Sequence, residues 1–126
     1  MSTPTKIVLA EDGHDHARIL IAVLKRGGFE VTWYQNGTEA FQALMTDPSP
    51  DLFITDLMMP GMSGFEILAR LNELKLLPPT IVLTSKQREE DILRGLEYGV
   101  LDYIIKPFSP AVVLAKIKNS IGRKAA

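Results

Sequence analysis

The stretch Asp51-Leu52-Phe53-Ile54-Thr55-Asp56-Leu57-Met58-Met59-Pro60-Gly61 decides the fold of this 126-residue chain. An apolar run is followed at once by a carboxylate and then by a Pro-Gly turn. A nearly continuous apolar strand is typical of a parallel sheet covered by helices on both faces. Open sheets of this kind place their functional groups at the carboxyl ends of the strands. Asp56 is therefore the first candidate functional residue.

Other apolar runs in the chain also end in polar residues. Ile7-Val8-Leu9-Ala10 precedes Glu11-Asp12, Ile81-Val82-Leu83 precedes Thr84-Ser85, and Tyr103-Ile104-Ile105 precedes Lys106-Pro107. The carboxyl ends of neighbouring parallel strands meet at one edge of the sheet. We therefore expect three acids, a hydroxyl and an amine to lie together there.

Strand and helix signals alternate along the whole chain. We predict strands at about 6–10, 29–34, 51–55, 80–84 and 101–105. We predict helices at about 15–26, 38–45, 63–76, 89–99 and 110–121, with Thr38 as an N-cap and Leu74 facing inward. Alternating βα units imply a parallel sheet with helices on both faces. The predicted fold class is α/β: a doubly wound (βα)5 flavodoxin-like three-layer sandwich with a five-stranded parallel sheet in strand order 2-1-3-4-5.

Length and composition restrict the class of protein. The 126 residues fit a single domain, with a core from about residue 6 to residue 121. The sequence has no cysteine, no apolar stretch near the roughly 20 residues of a membrane span and no secretory signal, so a cytoplasmic location is expected. A net charge of -1 offers no basis for direct nucleic acid binding.

Three carboxylates at one sheet edge repel one another, by about 4 kcal/mol for a pair 4 Å apart at an effective dielectric constant near 20. Either their pKa values rise or a cation binds between them. Oxygen ligands in an open cleft suit Mg²⁺, and Mn²⁺ can substitute. Lys106 and Thr84 add donors for phosphoryl oxygens. The set indicates a phosphoryl group carried on a carboxylate, with Asp56 as the nucleophile.

The combination of these segments resembles the receiver domain of two-component response regulators, in its chemotaxis-regulator-like form. The segments that carry the resemblance are Glu11-Asp12, Asp56 in Asp-Leu-Met-Met-Pro-Gly-Met-Ser-Gly, Thr84-Ser85 and Tyr103-Ile104-Ile105-Lys106-Pro107-Phe108. The resemblance covers about residues 6–121. It implies that Asp56 is the phosphoacceptor, receiving its phosphoryl group from a sensor histidine kinase or a histidine phosphotransfer protein.

The resemblance also implies roles for the surrounding residues. Glu11, Asp12, Asp56 and the main-chain carbonyl of Met58 would surround Mg²⁺. Lys106 would pair with the phosphoryl group and precede a cis peptide bond to Pro107. Thr84 would turn toward the phosphoryl group while Tyr103 swings inward behind it, because added negative charge attracts mobile donors. Met58 and Lys86 would tune the lifetime of the phosphoryl group.

The implied protein is a signalling switch in a phosphorelay. It would not be an enzyme but a phosphoacceptor that assists its own phosphorylation and dephosphorylation. Its partners would be the phosphoryl donor and either a downstream target protein or a covalently linked output domain, with no membrane contact. Phosphorylation would favour a homodimer.

Three other interpretations are weighed against this one. An Asp-based phosphatase needs a second Asp where this chain has Met58. A flavin-binding protein needs a Ser/Thr/Gly-rich phosphate loop where this chain has the acidic run 11–15. A pseudo-receiver that acts only as a protein-interaction module would not need the complete residue set. His14 and His16 are expected to be solvated, and Trp33 to pack on the second strand.

Overall fold

The computed structural model describes residues 5–85 and 97–125, with side chains described to residue 121. Its strands are β1 (Lys6–Ala10), β2 (Glu30–Tyr34), β3 (Leu52–Asp56), β4 (Thr80–Ser85) and β5 (Asp102–Lys106). Its helices are α1 (His14–Arg26), α2 (Gly37–Thr46), α3 (Gly64–Glu73) and α4 (Pro110–Ala125). The helix predicted at about 89–99 falls mainly on residues 86–96, outside the described residues. Among the described helices, none has the length and apolar character needed to cross a membrane.

The five strands form one parallel sheet in the order β2-β1-β3-β4-β5. The predicted fold class and strand order are therefore confirmed. The strand bounds differ from prediction by a single residue at β2, β3, β4 and β5. Asp56 and Lys106 thus end their strands rather than follow them. Membership in the strands restrains the backbone of both residues.

Apolar clusters on the two faces of the sheet explain the three layers. On one face, α1 and α4 pack against the strands through a cluster that includes Leu9, Leu20, Leu24, Ile54, Val113 and Ile117. On the other face, α2 and α3 do so through a cluster that includes Ala10, Ala40, Leu44, Phe53, Ile67 and Leu71. Residues 53 and 54 of the same strand therefore serve opposite layers, as the period of two in a strand requires.

Helix α3 ends earlier than predicted. Lys75 adopts a left-handed backbone conformation with φ 59°. The Leu76 N–H donates to the Leu71 carbonyl and the Lys75 N–H donates to the Asn72 carbonyl, the pattern of a Schellman motif. Leu74 is consequently 51% exposed, so the prediction that it faces inward was wrong.

Helix α2 is capped by Asn36 and not by the predicted Thr38. The Asn36 side chain accepts a hydrogen bond from the Glu39 N–H at 2.9 Å. The Thr38 hydroxyl instead accepts from the Met62 N–H at 3.2 Å. Thr38 therefore ties the loop after β3 to the start of α2.

The start of α3 lies directly beneath the end of β3. Ser63 and Glu66 form a capping box, and the Gly64 N–H donates to the Leu57 carbonyl at 2.8 Å. A Cβ atom at Gly64 would collide with the main-chain oxygen of Asp56 and would lie 2.8 Å from the Leu57 Cα. Only glycine allows this close approach, which holds the Asp56 backbone against the helix.

We expect Gly64→Ala to lower the free energy of unfolding by about 1–3 kcal/mol, the usual cost of forcing extra volume into a packed site. The direction of the change in stability is informative, because alanine is more favourable than glycine by about 0.5–1 kcal/mol inside an unhindered helix. Urea unfolding at equilibrium measures the change. Ser63→Ala, which removes the cap without a clash, should cost about 1 kcal/mol. A Gly64→Ala protein as stable as the wild type would disprove the close contact.

Candidate functional site

The five parallel strands end at one edge of the sheet, where the sequence predicted the site. Glu11 directly follows β1, Asp56 ends β3 and Lys106 ends β5. The register aligns Asp56 with Leu83 and Ser85 with Lys106. Because β1 and β3 are neighbours in the sheet, their acids approach each other closely.

The Lys106 ammonium lies between two of these acids. Its Nζ donates to Asp56 Oδ2 at 2.7 Å and lies 2.7 Å from Glu11 Oε1. The side chains of Lys106 and Asp56 are each 14% exposed, and that of Glu11 is 1% exposed. The peptide bond from Lys106 to Pro107 is cis, as the resemblance implied. The structure thus brings the predicted amine onto the predicted phosphoacceptor.

Burial changes the protonation of this group of charges. It raises the pKa of the Glu11 carboxyl from 4.5 to about 7, aided by the charge of Asp56 and opposed by hydrogen bonds from Lys106 and the Gly13 N–H. Burial alone would lower the pKa of Lys106, but its hydrogen bonds and charge attraction to Asp56 and Glu11 outweigh burial and raise that pKa. One ammonium therefore leaves the charge of the acids incompletely neutralised.

The acids fit a divalent cation with oxygen ligands. One carboxylate oxygen from each of Glu11, Asp12 and Asp56 lies within 4.8 Å of the others. Glu11 Oε1 is buried, and the Lys106 ammonium that lies 2.7 Å from it is shared with Asp56. Several carboxylates around one shared ammonium keep negative charge that a further cation can compensate. These three residues could therefore hold Mg²⁺ or a similar ion.

Met58 belongs to the turn that follows the phosphoacceptor. Its N–H lies 3.4 Å from Asp56 Oδ1, and its side chain is largely exposed, at 62% for the residue. The turn therefore folds back over Asp56. The predicted role of the Met58 carbonyl as a metal ligand stays a prediction.

Thr84 and Tyr103 lie on neighbouring strands and on the same face of the sheet. The register pairs Val82 with Tyr103 and Thr84 with Ile105, and residues two apart on a strand share a face. Thr84 is 3% exposed, and its hydroxyl donates to the Ser85 carbonyl at 3.3 Å. Tyr103 is half-buried and packs against the cluster formed by Leu57, Phe65, Leu68, Val82 and Val100. The two predicted switch residues thus lie on one face of adjacent strands, whereas Lys86 lies outside the described residues.

Trp33 has a role beyond the packing that its sequence pattern predicted. Its indole Nε1 donates to the Glu11 carbonyl at 2.8 Å, and the Glu11 N–H donates to the Tyr34 carbonyl. The turn that carries Glu11 is therefore held from the β2 side. The sequence signal was the pairing of β1 with β2, which places Trp33 opposite Leu9, one residue before the end of β1.

His16 is partly solvated, as predicted, and also lies near the site. Its Nδ1 lies 3.8 Å from Glu11 Oε1, while its side chain is 44% exposed. His16 stands in the first turn of α1, shortly after the segment that carries Glu11, and this proximity in the sequence was the available signal. His14 is exposed and makes an edge contact with the ring of Trp33.

Known proteins are similar to this chain in sequence. The family model described as "Response regulator receiver domain" matches residues 7–118. The chain is 37% identical over 118 residues to the alkaline phosphatase synthesis transcriptional regulatory protein PhoP of Bacillus subtilis, covering 94% of this chain and 49% of PhoP. It is 40% identical over 121 residues to the phosphate regulon transcriptional regulatory protein PhoB of Pseudomonas aeruginosa, covering 94% of this chain and 52% of PhoB. The chain thus spans about half the length of these curated relatives.

A solved structure gives the same result for the fold. The crystal structure of a putative response regulator from Chloroflexus aurantiacus superposes with a TM-score of 0.86 and 30% sequence identity. The superposition covers 95% of this chain and 99% of the other.

We expect Glu11→Gln to remove a pH dependence of stability in the metal-free protein. The folded chain holds the Glu11 proton more tightly than the unfolded chain does, because its folded pKa is about 7 rather than 4.5. The stabilisation that comes from this tighter proton binding is complete below pH 4.5 and is lost as the pH rises to about 7. At pH 8 the glutamine variant should be the more stable by up to roughly 3 kcal/mol.

Chemical unfolding between pH 4 and pH 8 with a chelator present measures this difference. Asp12→Asn is the matched control, because it removes a carboxylate that is exposed rather than buried. Added Mg²⁺ should stabilise the wild type more than the glutamine variant. Parallel stability profiles for wild type and Glu11→Gln would contradict the prediction.

Proposed function

The chain belongs to the response regulator receiver domain family, and on that premise we propose that Asp56 accepts a phosphoryl group from the phosphohistidine of a sensor histidine kinase or histidine phosphotransfer protein. The observation that carries the proposal is the 2.7 Å hydrogen bond from Lys106 Nζ to Asp56 Oδ2 beside two further acids. An ammonium aimed at a carboxylate oxygen is suitably placed for a phosphoryl oxygen there.

The chemistry is a transfer between two covalent partners. A carboxylate oxygen of Asp56 forms the new bond to phosphorus as the bond from phosphorus to the donor imidazole breaks, and the imidazole leaves with the electron pair. Lys106 orients the carboxylate before transfer and can pair with a phosphoryl oxygen afterwards. The low exposure of Asp56, 14% for its side chain, limits the access of water to the product.

The acids around Asp56 would hold the metal ion of this reaction. Glu11, Asp12, Asp56 and the main-chain carbonyl of Met58 are the proposed ligands, and the close approach of the three carboxylates around one shared ammonium supports the acidic part of this set. Mg²⁺, for which Mn²⁺ can substitute, neutralises charge on the transferring phosphoryl group when bound.

The switch would use Thr84 and Tyr103. The Thr84 hydroxyl makes one hydrogen bond of 3.3 Å to the Ser85 carbonyl, so turning it toward a phosphoryl oxygen exchanges a long bond for a charge-assisted one. Tyr103 lies on the same face and is half-buried, so it can fill the space that Thr84 vacates. A changed surface around β5 would follow, without rearrangement of the core.

We place the domain within a two-component system, as a phosphoacceptor that assists its own phosphorylation and dephosphorylation rather than as an independent enzyme. The relatives are transcriptional regulatory proteins about twice the length of this chain, which supports output through a covalently linked domain or a docked target protein. The proposal includes a cytoplasmic location and a homodimer favoured by phosphorylation. We do not propose that this domain binds nucleic acid or membranes directly.

The phosphoacceptor role predicts a gain of one phosphoryl group when the protein is incubated with Mg²⁺ and acetyl phosphate. Intact-mass spectrometry measures the gain. It should disappear in Asp56→Asn, because the amide is a poor nucleophile, and in wild type with a chelator. Glu66→Gln, a carboxylate change in the first turn of α3, serves as the control.

Two outcomes would argue against the role. Labelling that persists in Asp56→Asn would assign the phosphoryl group to another residue. If no label appears under any condition, a titration with beryllofluoride, which mimics the phosphoryl group without turnover, decides between two explanations. A receiver whose acyl phosphate is short-lived binds beryllofluoride, whereas a pseudo-receiver does not.

The switch predicts that Tyr103 senses the acceptor site through the Thr84 hydroxyl. With 3-fluorotyrosine incorporated, the fluorine resonance of Tyr103 should shift when beryllofluoride and Mg²⁺ are added, and Tyr103→Phe assigns it. The shift should persist in Thr84→Ser, which keeps the hydroxyl, and should be largely lost in Thr84→Ala. An unchanged shift in Thr84→Ala would show that Tyr103 responds by another route.

A further inference from the structure

We propose that the start of α2 positions the turn that follows the phosphoacceptor, with Gly37 and Thr38 as the positioning residues. The turn comprises residues 57–63, between the end of β3 and the start of α3. The inference rests on the proposed function, because it concerns how fast Asp56 is phosphorylated. It gives a helix a part in a site that the strand ends alone were expected to form.

Two hydrogen bonds join the start of α2 to the far half of this turn. The Gly37 N–H donates to the Pro60 carbonyl at 3.1 Å. The Thr38 hydroxyl accepts from the Met62 N–H at 3.2 Å. Consecutive residues of one helix therefore hold the turn at two points, one on each side of Gly61.

Close packing accompanies these hydrogen bonds. Gly37 is buried, and a Cβ atom there would collide with the main-chain oxygen of Met62. A Cβ atom at Gly61 would likewise lie 2.5 Å from the Thr38 Oγ1. Helix and turn thus meet where both chains lack a side chain, which allows a close approach of the two backbones. A larger residue at position 37 would push the turn away from the helix.

The near half of the turn lies at the phosphoacceptor. The Gly64 N–H donates to the Leu57 carbonyl at 2.8 Å, and the Met58 N–H lies 3.4 Å from Asp56 Oδ1. Met58 itself is 62% exposed, so side-chain packing holds it only weakly. Its position over Asp56 therefore depends on the points at which the two ends of the turn are fixed. The contact of α3 supplies the first of these, and the start of α2 supplies the second.

A fixed turn matters for phosphoryl transfer. Groups that are already in place around a reacting carboxylate raise the rate, because they need no ordering in the transition state. Without the Thr38 hydroxyl, the turn can take positions farther from Asp56 and must be ordered at each transfer. Loss of this hydroxyl should therefore slow phosphorylation although the strands and their acids are unchanged.

Selective ¹⁵N-methionine labelling tests the positioning in the metal-free protein. The chain has five methionines, of which three lie in the turn, at 58, 59 and 62, and Met45 lies in α2. Thr38→Val replaces the hydroxyl by a methyl group of similar size. The amide order parameters of Met58 and Met62 should then fall from about 0.85, typical of a rigid backbone, toward about 0.6. Met45 should keep its wild-type value.

The rate of phosphorylation by acetyl phosphate with saturating Mg²⁺ is measured on the same proteins by intact-mass spectrometry. Thr38→Val should react about fivefold more slowly than the wild type, the rate equivalent of one typical hydrogen bond. Gly37→Ala should slow the reaction in the same direction, because its new Cβ displaces the turn from the other contact.

Two further variants separate positioning from a general effect on the fold. Thr38→Ser keeps the hydroxyl and should keep the wild-type rate and order parameters. Thr46→Val is the matched control, because it removes a threonine hydroxyl at the other end of α2, which donates to the Gln42 carbonyl at 3.0 Å. It should leave the turn and the rate as in wild type.

Two results would overturn the proposal. If Met58 and Met62 have the same order parameters in Thr38→Val as in the wild type, α2 does not hold the turn. If the order parameters fall and the rate is unchanged, the turn is held without effect on Asp56. A wild type that gains no phosphoryl group and binds no beryllofluoride would refute the proposed function instead. The order parameters of the metal-free protein would still decide whether α2 positions the turn.

Discussion

The ion pairs of Lys106 with Asp56 and Glu11 are the interaction on which this site depends. Two acids approach each other because β1 and β3 are neighbours, and one ammonium at 2.7 Å from each relieves their repulsion. Lys106 stands on β5, two strands from β3, and neighbouring strands are about 4.8 Å apart. Its side chain must therefore extend across the end of β4. The long side chain of lysine reaches that far, whereas a short donor would not.

Neutralisation in this arrangement is incomplete. Glu11 keeps a raised pKa even with Lys106 beside it. A site that retained full compensation in the folded protein would have little affinity for a cation. The same residual charge that lowers stability at neutral pH therefore makes metal binding favourable, and folding energy from the two apolar layers offsets its cost.

Much of this molecule could be predicted from the pattern of its residues. Apolar runs locate the central strands because burial on both faces favours apolar side chains along most of their length. The errors lie where local signals compete: Asn36 and Thr38 are both good N-caps, and only the contact of Thr38 with Met62 decides between them. The periodicity of α3 continues to Leu74, yet the helix ends because the chain turns at Lys75.

The sequence by itself determined the class of fold, the strand that ends in Asp56 and the types of residue at the sheet edge, because these follow from periodicity and from the chemistry of each side chain. Only the tertiary structure decided which groups touch. Three features show this. Lys106 pairs with two acids, Trp33 donates a hydrogen bond to the Glu11 carbonyl, and His16 rather than His14 faces the cleft. All three are contacts between separate elements. Such contacts depend on strand register and helix rotation, which no local stretch of sequence encodes.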